Sequence, residues 1–239
     1  MSILLTVLLY SLFPVAAALF GALIAIYWPP KAIIRSYIQH LAGGVVFSVV
    51  AVELLPDIMH QKGAYWEVAI GFILGASCML GLRTLSHSLE TKNQGKNESK
   101  LSLLAGVALD VLLDGFLIGV SFSAGAKEGL LLTAALTLEM LSLGLAVSSS
   151  LGKVGRSPKR IMFTCLALFS TLILGAAIGG ILMQTITPCM LEVVLSFGLA
   201  ALMYLVTEEL LVEAHKEPET PVATGMFFLG FLVFLLLGM

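Results

Sequence analysis

Eight apolar stretches, each about long enough to cross the roughly 30 Å hydrocarbon core of a bilayer, account for nearly all of this 239-residue chain. Their approximate limits are 3–27, 33–57, 65–86, 101–123, 128–150, 160–184, 190–213 and 222–238. A segment in lipid must satisfy its backbone N–H and C=O groups internally, so runs of this length and apolarity fold as helices. The sequence therefore predicts an all-α polytopic membrane protein, an eight-helix bundle forming a single transmembrane domain over 1–239. With 59% hydrophobic and 12% charged residues, and a mean hydropathy of +1.03, nothing remains for a separate soluble domain. The longest polar connection, 86–100 between the third and fourth segments, is rich in Asn, Lys and Glu and reads as a flexible loop.

Eleven of the thirteen basic residues fall on one side of this topology, and only Lys62 and Lys127 fall on the other. Cytoplasmic connections are enriched in Lys and Arg, so the basic side is expected to face the cytoplasm and both termini to lie outside it. The membrane would be a plasma membrane or a bacterial inner membrane. The first 27 residues lack a basic start and a small-residue cleavage site, which predicts an uncleaved first helix. Asn97-Glu98-Ser99 has the form of a glycosylation sequon but falls on the cytoplasmic side, where it would go unused. Cys78, Cys165 and Cys189 form no close pair and read as small buried hydrophobes. No basic patch suggests nucleic acid as a partner.

Asp110, Asp114 and Glu139 lie in the middle of the fourth and fifth apolar segments. An acid at that depth costs roughly 2.5–3.5 kcal/mol on insertion scales, so three at one depth call for a function, with a cation as the natural partner. Asp110 and Asp114 are one helical turn apart and share a face. Counted from the turn near Ala126, Asp114 and Glu139 both lie about 18–20 Å along their helices, and should face each other. The structural alternative is a set of protonated acids hydrogen-bonded between helices.

Two internal similarities accompany these acids. Glu53-Leu-Leu-Pro-Asp57 ends the second segment and Glu209-Leu-Leu-Val-Glu213 ends the seventh, followed by His60 and His215. The two segments run in opposite directions, as an inverted repeat requires. Leu109-Asp110-Val-Leu-Leu-Asp114-Gly115 likewise resembles Leu138-Glu139-Met-Leu-Ser-Leu-Gly144. Glu53, Asp57 and His60 near one end, and Glu208, Glu209, Glu213 and His215 near the other, would form the entrance and exit of a path through the central acids, or simply solvated helix ends. His40 and His87 read as interfacial or loop histidines rather than ligands.

Over essentially its full length the chain resembles the ZIP family of divalent metal transporters. The resemblance rests on Ala42-Gly-Gly-Val-Val-Phe with Glu53-Leu-Leu-Pro-Asp57, on Tyr204-Leu-Val-Thr-Glu-Glu209-Leu-Leu-Val-Glu213, and on the acids of the fourth and fifth segments. It implies eight helices in a 3+2+3 inverted-repeat arrangement, metal ligands on helices 4 and 5, and a homodimer. The sequence departs from the family pattern where it matters most. Asp110 replaces a histidine, Val111 an asparagine, Leu113 a proline and Leu143 a second helix-5 ligand. The central site is thereby all carboxylate, with Ser142, Met140 and backbone carbonyls as further donors. Oxygen donors suit Mg, Ca or Mn, whereas imidazole and thiolate favour zinc, so zinc, manganese and iron(II) all stay open.

The function expected is secondary transport of a divalent cation toward the cytoplasm, with the metal as substrate and no cofactor or enzymatic activity; no nucleotide motif points to a pump. Two other readings are an intramembrane metal-dependent hydrolase, suggested by adjacent Glu208 and Glu209, and a metal sensor or scaffold without flux. The hydrolase lacks the arginine expected soon after the glutamates, since Ala214 and His215 stand there.

Overall fold

The computed structural model describes residues 3–60, 65–92, 98–182, 184 and 188–239. Eight helices of membrane-crossing length and hydropathy run through them, making the chain an all-α integral membrane protein. They are α1 (Ile3–Tyr27), α2 (32–60), α3 (Tyr65–Lys92), α4 (Glu98–Ala124), α5 (Ala126–Lys153), α6 (Pro158–Leu182), α7 (188–214) and α8 (Pro221–Gly238). The loop expected over 86–100 falls partly on 93–97, outside the described residues; helical backbone reaches Lys92 from one side and resumes at Glu98 on the other. Leu, Glu and Lys are good helix formers, so a helix continues past its apolar span wherever water can take over from lipid.

Bulky apolar side chains such as Phe13, Phe20, Phe163 and Phe228 point outward, where a soluble protein would bury them. Tyr27 and Trp28 at one end of the bundle, and Tyr65 and Trp66 at the other, are exposed, as residues of two interfacial aromatic belts are. Helix α8 is started by Thr220, whose hydroxyl accepts a hydrogen bond from the Ala223 N–H at 3.2 Å, with Pro221 at the first helical position. Replacing Thr220 with Ala should cost about 1 kcal/mol, read as a lower melting temperature in detergent.

The most extensive packing joins α4 to α6, α1 to α5, α2 to α8 and α3 to α7. Exchanging α1 with α6, α2 with α7, α3 with α8 and α4 with α5 turns this set of pairs into itself, as an inverted 3+2+3 arrangement requires. The backbone repeats the relation. Helix α2 contains a π-helical stretch at Val50–Leu54 and α7 contains one at Leu205–Leu210, around Glu53 and Glu209 respectively. Pro56 has no N–H for the carbonyl four residues back, which loosens α2 there; α7 carries Val212 at the matching position and makes its π-stretch without a proline. Small residues set the close crossings. A Cβ on Gly115 of α4 would lie 2.0 Å from the Leu172 carbonyl oxygen of α6, and one on Gly144 of α5 would lie 2.1 Å from that of Ala18 in α1. The packing thus gathers α1, α4, α5 and α6 into one group and α2, α3, α7 and α8 into another, with contacts of α2 on α5 and α3 on α4 between them.

Candidate metal centre

Asp110 and Asp114 on α4 and Glu139 on α5 each offer a carboxylate oxygen, and these atoms all lie within 4.8 Å of one another. Asp114 and Glu139 are 3% and 2% exposed. One oxygen of each, Oδ2 of Asp114 and Oε2 of Glu139, is buried and has no hydrogen-bond partner. Among the described residues no lysine, arginine or histidine pairs with any of the three. Close buried carboxylates repel when ionised, so the group is stable only with protons or a cation among its oxygens. The helix spacing read from the sequence accounts for the geometry: α4 and α5 meet at a short turn near Gly125, Asp114 and Glu139 sit about equally far from it, and Asp110 lies one helical turn beyond Asp114.

A fourth acid joins them. The Glu209 carboxyl, on the π-stretch of α7, lies beside that of Asp110 and borders the same cavity. Two adjacent buried carboxyls are stable together only with a proton or a cation between them. Its neighbour Glu208 turns away and accepts from Arg83 Nη1 of α3 at 2.5 Å. Adjacent residues of a helix point about 100° apart, which sends one glutamate to the centre and the other to a different helix.

A cavity of about 580 Å³ reaches Asp110, Glu139 and Glu209 from one end of the bundle, lined also by Gln39, Ser142, Ser150, Glu208, Glu213 and Lys216 among others. A second cavity of about 300 Å³ adjoins it through Gln39, Ser142, Ser150 and Glu213. Both open on the side where α2 begins and α5 and α7 end, the side holding most of the basic residues. On the opposite side Leu54, Leu117, Leu132, Leu195 and Leu202 converge around a void of only about 10 Å³, too small for more than one water.

The remaining candidates fall into distinct places. Ser142 is buried and borders the cavity. Met140 does not: it is fully buried in the apolar core, because it lies about 100° round the helix from Glu139. Glu213 pairs with Lys216 at the cavity mouth. His215 lies near Glu219, Nε2 to Oε1 3.4 Å, and its ring meets that of His40 edge-on with centroids 5.2 Å apart. His40 is buried rather than interfacial, its Nδ1 2.8 Å from the Ser36 carbonyl oxygen, because α2 begins directly against the end of α7. Glu53 is buried on the closed side. Asp57 is half-buried near it, and the side chain of His60 lies outside the described residues.

Sequence reasoning missed Glu192. It is buried near the start of α7 on the closed side, with Oε2 unpartnered and with Asp57 and Glu67 as its charged neighbours. An acid inside an apolar run was the available signal, the same one that drew attention to Asp110. Gln39 and Ser150 were also missed, being ordinary polar residues near helix ends.

No family model matches the chain. It is similar to the zinc transporter GufA of Myxococcus xanthus, 29% identical over 209 residues, which cover 83% of this chain and 82% of that protein. With a match along four fifths of both chains and eight membrane-length helices around buried acids, the resemblance to the ZIP family read from the sequence is borne out.

Proposed function

We propose that the protein is a secondary transporter that carries a divalent metal cation of the zinc, manganese or iron(II) class toward the cytoplasm, through the carboxylates of α4 and α5. The observation that carries this reading is the group of three convergent carboxylates, two of them with unpartnered buried oxygens, and the cavity that reaches Asp110 and Glu139 from the side of the basic residues. Asp110, Asp114 and Glu139 hold the cation, with Ser142 and Glu209 within the same site. Asp57 and Glu53 attract the hydrated ion on one side, and Glu213 and His215 line its departure on the other. The basic bias of the loops makes the open side cytoplasmic, so the arrangement is the inward-open one. A metal substrate is supported by the zinc transporter that the chain resembles. The all-oxygen donor set keeps manganese and iron(II) beside zinc as substrates. Glu208 and Glu209 turn toward separate partners, which favours the transport reading over a hydrolase built on paired glutamates.

Purified protein in proteoliposomes should take up one or more of Zn, Mn, Fe(II), Co and Cd saturably, and a variant with Asp110, Asp114 and Glu139 all changed to Ala should not. Tight binding without flux in the unaltered protein would make it a sensor or scaffold instead.

A further inference from the structure

Lys127 is one of the two basic residues on the sparsely charged side of the chain, and it stands at the first turn of α5. Its ammonium does two things at once. Nζ lies 3.5 Å from Glu53 Oε1 in the π-stretch of α2, and it donates to the carbonyl oxygen of Gly238 at the end of α8. Helix α5 belongs to one packing group, and α2 and α8 to the other, so this single side chain ties the two groups together at their closed end. Directly beneath it lies the leucine plug of Leu54, Leu117, Leu132, Leu195 and Leu202.

The inverted repeat gives the contact its meaning. Glu53 and Glu209 hold equivalent positions on equivalent π-stretches, yet their surroundings differ. On the open side Glu209 reaches Asp110 and borders the cavity. On the closed side Glu53, 8% exposed, faces a lysine instead, with Asp57 and Glu128 as further charged neighbours. We propose that Lys127 is a tethered cation that occupies Glu53 and latches the outer mouth shut, and that opening this side requires its release. Once released, Glu53 takes toward Glu139 the place that Glu209 takes toward Asp110. The inference rests on the transport reading for its purpose, but the latch itself is a conformational statement that is read without any metal.

The test uses a full-length chain in proteoliposomes, with Cys78, Cys165 and Cys189 replaced and Leu132→Cys introduced in the plug, labelled by a membrane-impermeant thiol reagent from the side of the termini. Labelling should be slow in this background and rise roughly fivefold or more with Lys127→Met, as loss of one ion pair shifts a two-state equilibrium. Glu53→Gln should raise it similarly, the double variant should add nothing, and Lys127→Arg should stay slow. Unchanged labelling in folded Lys127→Met and Glu53→Gln would overturn the latch; if one variant fails to fold, the other removes the same pair. Absence of metal flux in the unaltered protein, with labelling still raised by the variants, would instead sink the transport reading and leave the latch standing.

Discussion

Changing Glu139 to Gln, or Asp114 to Asn, should lower metal uptake in proteoliposomes by about two orders of magnitude or more, the loss expected when a directly coordinating charge is removed from a low-dielectric site. The same variants should melt no lower than the unaltered protein in metal-free detergent. Each removes one of a set of mutually repelling buried acids and replaces an oxygen without a partner by an amide that can donate to the neighbouring carboxylates. A set of acids serving as hydrogen-bonded glue gives the opposite pattern, with stability falling and uptake following it. Measuring melting temperature and uptake on the same preparation separates the two.

Gly115→Leu should be the most damaging single change in the scaffold, lowering stability by about 3 kcal/mol or more and leaving little monodisperse protein after extraction. The obstacle to a side chain is the carbonyl of Leu172, at 2.0 Å from the new Cβ, and backbone cannot rotate aside as a side-chain tip can. In lipid, helices are held by close van der Waals contact and gain little from the hydrophobic effect, so a crossing that is forced open loses most of what held it. Gly144→Leu, the equivalent change against Ala18, should behave alike. Gly152→Ala is the control: nothing lies within 4 Å of its Cβ, and removing a glycine from a helix should be neutral or gain up to about 1 kcal/mol. A size-exclusion profile in which all three variants match the unaltered protein would show that the crossings are looser than described.

Several features were legible in the residues because they depend only on local spacing. Eight spans follow from apolar length, since a single segment satisfies its own backbone hydrogen bonds in lipid only as a helix, and the helices start and stop within a few residues of the sequence limits. The meeting of Asp110, Asp114 and Glu139 was legible too, because a short turn near Gly125 makes α4 and α5 antiparallel neighbours and fixes equal depth by counting. The repeated Glu-Leu-Leu motifs marked the two places where the helices turn π-helical.

What only the tertiary structure decided depends on which helices touch and how closely. Glu208 and Glu209 are indistinguishable as neighbours in a string, yet one reaches α3 and the other α4, because a helix turns 100° per residue and α7 sits between both partners. Met140 next to Glu139 was lost to the core for the same reason. His40 met His215, and Lys127 met Glu53, across 175 and 74 positions of sequence, because glycine crossings bring α2, α7 and α8 within reach. Local periodicity sets where a side chain lies along a helix, whereas the side it finally meets, and the end at which the cavity opens, are set by how closely separate helices can approach one another.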